Sequence, residues 1–368
     1  MRPLLVHVLT PGFTTPNGCA FLFPLEFHRK ALAERGVTLR TFRTVTGALG
    51  DCDVLIVDSK FHRLRWERES EAVVAEFAEL KRRCSRLLYF DTTDSTGGIQ
   101  VEILPLVDRY CKSQLLRDRK LYLQPMYGAR IYADYYHRNF GVADSDPEYS
   151  MPVPDAALLG KLTLSWNSGL ADHSLFGPAR MALYRRVPLA PLLRFPAAIA
   201  SPSRPRANPV SCRFGANYPR QSVAWQRRRT RILLGHRFPT AKVSRAAYFR
   251  ELASSKLVVS PFGYGEITLK DFEVFLTGGI LITPDMGHLE TWPDLFRAGE
   301  TMLTHRWDLT DLEAKIDEAL GDYPRFRAVA EAGQAAYLQH LGGAAAQLRF
   351  IDRFLALISP EPDSMAAR

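Results

Sequence analysis

Leu257-Val-Val-Ser-Pro-Phe-Gly-Tyr-Gly-Glu-Ile-Thr-Leu-Lys-Asp-Phe-Glu-Val-Phe-Leu-Thr-Gly-Gly-Ile-Leu-Ile-Thr-Pro-Asp285 contains two short apolar runs, with a glycine-bearing loop and an amphipathic segment between them. Leu257 to Ser260 predicts a buried strand, Thr268 to Leu276 a helix, and Ile280 to Thr283 a second buried strand. Strands joined through a helix pair in parallel by a right-handed crossover. Gly263 and Gly265 then fall in the loop at the carboxyl end of the first strand, where glycine lets backbone approach a ligand closely. The helix start beyond them offers unpaired N–H groups and a partial positive charge, which suits a diphosphate. Tyr264 and Thr268 belong to the same candidate site. Glu266 and Glu273 lie seven residues apart, a spacing that predicts one shared helical face. A phosphate would repel both, so hydroxyls of a sugar or ribose are their expected targets.

The same alternation extends outward over a chain of 368 residues, long enough for two domains. Leu4–Leu9, Val37–Phe42, Val54–Val57 and Leu87–Phe90 read as strands, with helices over Phe21–Arg35 and Arg65–Arg82; this is a Rossmann-like half. Between Gly141 and Pro154 the sequence turns polar and proline-rich, the expected junction. Leu162–Trp166 is expected as a strand of the second domain, followed by helices over Gln221–Arg231 and Arg245–Ser254. Three helical stretches, Leu309–Leu320, Tyr323–Leu341 and Ala344–Ile358, close the chain. The expected division is 1–150, 151–343, and a C-terminal helix and tail over 344–368 that packs back on the first domain.

Composition excludes several classes. Apolar residues make up 46% and charged residues 24%, so neither disorder nor a fibrous repeat is indicated. No run approaches the roughly 18 to 20 apolar residues of a membrane span. The N-terminal apolar stretch is interrupted by His7 and reads as a strand rather than a leader. Cys19, Cys52, Cys84, Cys111 and Cys212 are scattered without a Cys-x-x-Cys pair, so no disulfide framework or zinc site is expected and a cytoplasmic compartment fits. The net charge is +9 and unevenly spread, with nine arginines and no acidic residue over Ser201–Thr240. A second basic stretch, Arg109–Arg138, is interleaved with tyrosines. Both point to an anionic partner: a diphosphate, a lipid headgroup or a nucleic acid.

The pattern over Lys256–Pro293, with its Ser-Pro-x-Gly loop, Phe-Glu-x-x-x-x-Gly-Gly helix and Pro-Asp strand end, resembles the C-terminal domain of GT-B-fold glycosyltransferases, in particular the bacterial group related to the CgeB-like and exostosin-like families. The resemblance implies two Rossmann-like domains facing each other across a cleft, an α/β architecture. It also implies transfer of a sugar from a nucleotide-sugar donor to a glycan or lipid-linked acceptor in bacterial surface polysaccharide synthesis, with no metal or other cofactor. By it, Glu273 holds the ribose, and Gly263 to Thr268 lie against the diphosphate and donor sugar. The Glu-x6-Glu spacing departs from the Glu-x7-Glu of retaining members.

Other residues complete the expected site. Arg213 and Arg220, with Asn217 between them, are candidates to neutralise the departing diphosphate, whereas Arg227 to Arg229 read as a solvated helix face. On the first domain, Asp91 and Asp94 follow a strand at its carboxyl end, where open α/β sheets bind ligands, and are candidates for the carboxylate that deprotonates the acceptor. Gly12 and Asn17, in the loop after the first strand, are candidate acceptor contacts. His288 is a further donor-side candidate, and Trp292 and Tyr264 are candidates for stacking on a base or sugar. Asp51-Cys-Asp53 resembles a metal-binding Asp-x-Asp but reads as a loop before a strand. Nucleotide-sugar epimerisation and nucleic-acid or anion binding are the competing functions, and the glycine and carboxylate pattern disfavours nucleic acid. Peripheral contact with the inner face of the cytoplasmic membrane is expected of Arg109–Arg138.

Overall fold

The computed structural model describes residues 2–186 and 192–360. Its strands in chain order are β1 (Leu4–Leu9), β2 (Val37–Phe42), β3 (Val54–Asp58), β4 (Arg86–Asp91), β5 (Arg109–Lys112), β6 (Gln114–Leu116), β7 (Leu162–Leu164), β8 (Asn208–Ser211), β9 (Ser255–Val259), β10 (Ile280–Pro284), β11 (Leu289–Thr291) and β12 (Leu303–His305). The helices are α1 (Pro16–Phe27), α2 (Arg29–Glu34), α3 (Arg63–Trp66), α4 (Ser70–Arg83), α5 (Ile131–Phe140), α6 (Gly177–Tyr184), α7 (Gln221–Leu234), α8 (Arg245–Ser254), α9 (Leu269–Thr277), α10 (Leu312–Gly321), α11 (Tyr323–Leu338) and α12 (Gly343–Ile358).

Two parallel sheets result, one in the order β2-β1-β3-β4-β5-β7 and one in the order β12-β10-β9-β8. Central strands such as Val54–Asp58 are buried along their whole length, as expected of a parallel sheet covered by helices on both faces. The fold is therefore two Rossmann-like domains facing each other, the GT-B arrangement. In the first sheet the chain leaves β1 for β2 on one side and β3 on the other, so the topological switch point lies between β1 and β3, where a ligand crevice opens. A short antiparallel ribbon, β6 with β11, ties the domains together.

Leu162–Leu164 corrects one expectation. Expected in the second domain, it pairs in parallel with β5 and closes the first sheet, so the first sheet runs past residue 150 and the second begins at β8. The helix expected over Phe21–Arg35 is two, interrupted at His28, and that over Arg65–Arg82 is likewise split between α3 and α4. Helix α12 lies on the first domain. Arg109 donates to the carbonyls of Ala356 and Leu357 at 2.5 and 2.8 Å, and the Phe350 ring stacks on His28 at 5.1 Å. One apolar cluster runs through both domains, from Phe21 and Trp166 to Phe272, Tyr337 and Phe354.

Within the basic Arg109–Arg138 stretch, Arg109, Lys112 and Arg130 turn inward, whereas Arg117, Lys120 and Arg138 are exposed. Lys112 is fully buried against Asp91, Arg117 donates to the carbonyls of Gly287 and Leu289, Arg119 pairs with Glu290, and Arg130 is buried. Among the described residues no helix is long and apolar enough to cross a membrane.

Candidate functional site

A cavity of about 850 Å³ opens between the domains. Its N-terminal wall is built at the switch point, from Thr15, Pro16 and Asn17 at the start of α1, Ser59 to Arg63 after β3, and Asp91 to Asp94 after β4. Its C-terminal wall is Tyr218, Arg227, Gly263, Tyr264, Gly265 and Ile267 to Leu269. Two local signals place these groups. Thr15 caps α1 by accepting from the Gly18 amide, and a reciprocal capping box between Thr268 and Asp271 starts α9, aiming each helix start at the cleft. Helix α9 stops at Gly278, whose φ of +68° suits glycine.

The loop from Ser260 to Thr268 is held from both sides. Arg227 is buried; it donates to the carbonyls of Phe262 at 2.7 Å and Gly215 at 2.8 Å, and burial lowers its pKa. It shares the inner side of α7 with Val223, Thr230 and Leu234, which corrects its reading as a solvated residue. From the first domain, Arg130 donates to the Tyr264 carbonyl at 2.5 Å and lies 3.7 Å from the centre of its ring. Tyr132 donates to the Gly263 and Tyr264 carbonyls, each at 3.0 Å. Lys270, in the first turn of α9, donates to the Arg213 carbonyl, and burial pushes its pKa down to about 8. Burial pushes Asp271 up to about 6. Three cations, Arg227, Arg130 and Lys270, and the start of α9 therefore surround the loop at the carboxyl end of β9.

Glu266 is fully buried. One of its oxygens accepts from Thr96 N at 3.2 Å, Thr96 Oγ1 at 2.7 Å and Gln114 Nε2 at 2.9 Å, while Oε1 has no partner among the described residues. It bridges the domains beside the cleft and is not among the lining residues. Glu266 also precedes α9, which begins at Leu269, so it shares no helical face with Glu273. Glu273 accepts from Tyr248 Oη at 2.9 Å and lies 3.4 Å from Arg245, away from the cleft lining, and burial raises its pKa.

Several other expectations are corrected. Arg213 is paired with Glu251 at 3.0 Å and Arg220 with Glu148; neither lines the cleft, nor does the exposed Asn217. Asp91 faces the cleft but is buried, accepting from Lys112 at 2.7 Å, Tyr110 at 2.8 Å and Thr93 N at 2.9 Å. Burial alone would raise its pKa; Lys112 and Thr93 outweigh that and hold it below the usual carboxylate range. Such a carboxylate is a poor base. Asp94, in contrast, is exposed, accepts from Asn17, and its backbone abuts Gly265 of the opposite wall.

Gly12 lies off the cleft with φ +82° and turns the chain after β1. The His288 ring packs 5.1 Å from Trp307 behind the lining, its Nε2 without a partner among the described residues, and burial lowers its pKa. Trp292 faces His340 and Arg353 instead of the cleft. Asp53 is bound to Arg2 and to Leu5 N, and among the described residues no group of three or more His, Cys, Asp or Glu could hold a metal.

Residues 210–345, which span most of the second sheet and α7 to α11, match the model of a family described as glycosyl transferase-like. No curated protein matches the chain significantly. Similar solved structures include HepE of Anabaena in complex with UDP-glucose, at 12% identity over 96% of this chain and 99% of that one, TM-score 0.44. Sucrose-phosphate synthase of Thermosynechococcus elongatus matches at 11% identity over 96% and 99%, TM-score 0.48. A Listeria monocytogenes protein described as a UDP-N-acetylglucosamine 2-epimerase matches at 11% over 97% of each, TM-score 0.38.

Proposed function

We propose that the protein is a glycosyltransferase that moves a sugar from a nucleotide-diphosphate donor, bound at the Ser260–Thr268 loop, to a hydroxyl held on the opposite wall. The observation that carries this reading is the loop itself. Glycine backbone, the start of α9 and Arg227 line an 850 Å³ cleft at the carboxyl end of β9, whose other wall carries Asp94, and Lys270 lies behind the loop on the Arg213 carbonyl. The family match over the same segment supports it.

In such a transfer the bond between the anomeric carbon and the diphosphate breaks, and negative charge develops on the leaving oxygen. Fixed cations and helix N–H groups stabilise that charge without reorganising. No divalent ion is required in this scheme, so turnover should be insensitive to EDTA. Asp94 takes the proton of the acceptor hydroxyl as the new glycosidic bond forms. Half-buried Trp66 and Ile99 and the polar Ser59, Thr92 and Gln100 on the N-terminal wall suit a glycan or glycan-bearing acceptor. The test is incubation with a panel of nucleotide sugars, with and without glycan acceptors, scored for free nucleotide and coupled product. Acceptor-dependent nucleotide release supports the reading. Conversion of the donor to its epimer without net transfer would replace it.

A further inference from the structure

Of the nine arginines between Ser201 and Thr240, most are satisfied internally. Arg206 is buried among backbone carbonyls, Arg227 holds the donor loop, and Arg213, Arg220 and Arg237 pair with carboxylates. Three on α7 are different. Arg228 donates only to the Gln221 amide oxygen, Arg229 lies 5.7 Å over the Trp225 ring, and neither they nor Arg231 has a carboxylate partner among the described residues. Trp225, Arg228, Arg229 and Ile232 recur at three- and four-residue spacing and so share the outer side of α7, opposite Arg227. Ile232 is 75% exposed and Phe140 44% exposed. Phe140 and Trp225 stack with centroids 4.7 Å apart and, with Arg228 and Arg229 at the rim, form a surface groove of about 340 Å³.

We propose that this outer side of α7, with Phe140, docks on a lipid bilayer carrying anionic headgroups. The arginines match headgroup phosphates, and Ile232 and Phe140 have an apolar layer to enter, with Trp225 at the interface where its amphipathic ring is favoured. A nucleic acid would meet the arginines but leave the aliphatic and aromatic tips uncovered. This docking is independent of which sugar the cleft transfers.

The experiment is flotation of the full chain with vesicles of phosphatidylcholine containing phosphatidylglycerol, against vesicles of phosphatidylcholine alone. Binding to the anionic vesicles only, weakening as salt is raised, is expected. Arg228→Gln and Arg229→Gln together should reduce partitioning by roughly 25-fold, about 5-fold for each arginine near the surface. Ile232→Ser should reduce it several-fold with the charge unchanged. Thermal melting checks that the variants fold; should the double variant not fold, Arg229→Gln alone must still show its roughly 5-fold loss. Equal binding by the variants, equal binding to uncharged vesicles, or retention on nucleic acid with no vesicle binding would each overturn the proposal.

Discussion

Replacing Lys112 by methionine separates the two aspartates of the β4 loop by role. Lys112 and Asp91 have side-chain exposures of 0% and 4% and meet at 2.7 Å. Methionine fills a similar volume but leaves the Asp91 carboxylate buried without its counter-charge. Tyr110 and Thr93 still donate to it, but neutral donors do not compensate a full charge. Breaking one side of a buried pair costs about 3 to 5 kcal/mol, and that range is expected for Lys112→Met. The double variant Asp91→Asn with Lys112→Met removes both charges and should recover more than half of the loss. Denaturant unfolding of the four proteins gives the coupling directly. In the same series Asp94→Asn should leave stability almost unchanged, because the side chain is exposed, while lowering turnover by about 10²- to 10⁴-fold as a proton acceptor is lost. A cost below about 1 kcal/mol for Lys112→Met, or full turnover in Asp94→Asn, would refute the assignment.

A Cβ at Gly265 would stand 2.1 Å from the Asp94 carbonyl oxygen, whereas at Gly263 the nearest atom is the Thr268 methyl at 3.0 Å. Gly265→Ala should therefore force the two walls apart and cost far more kcat/KM than Gly263→Ala, measured side by side. Glu266→Gln removes the charge from three hydrogen bonds across the domains and should lower stability by about 1 to 3 kcal/mol, with faster amide exchange at Thr96. Acid should also weaken the fold. Burial pushes His28 and His305 down to about 4, so their neutral forms are favoured in the native state. That contribution is intact above about pH 6.5 and lost as pH falls through 4, up to about 3 kcal/mol each. Asp271, raised to about 6 by burial, acts oppositely: its stabilising contribution is full below about pH 4 and lost as pH rises through 6. Melting curves of the wild type and of His305→Gln between pH 4 and 7 check the balance.

Strand and helix alternation was legible because β3, β10 and the Leu257–Val259 part of β9 are buried and so are written as mostly apolar runs. The three-residue β7 carried no such signal, and its place beside β5 depends on pairing across the sheet. The Ser260–Thr268 loop was readable from its glycines, but the Thr268–Asp271 cap at the start of α9 was not read, and Arg227 and Arg130, which hold the loop, were missed. Arg227 could have been found by spacing, because Val223, Arg227, Thr230 and Leu234 recur at intervals of four, three and four residues and so mark one side of α7. Arg213 and Arg220 lost their candidacy to Glu251 and Glu148, partners that only the fold brings near. The inward turn of Arg109, Lys112 and Arg130 was hidden for a similar reason: their partners include neutral backbone carbonyls, those of Arg109 at the end of α12, which no charge count reveals.

The central claim is that a nucleotide sugar binds at the Ser260–Thr268 loop. Thermal melting of the full chain against a panel of nucleotide sugars and nucleotides tests it, because a ligand at 100 times its Kd stabilises the folded state by about 2.7 kcal/mol. At least one nucleotide-diphosphate sugar should raise Tm by several degrees, and Arg227→Gln should abolish that shift. No shift with any nucleotide, or a shift that survives Arg227→Gln undiminished, would contradict it.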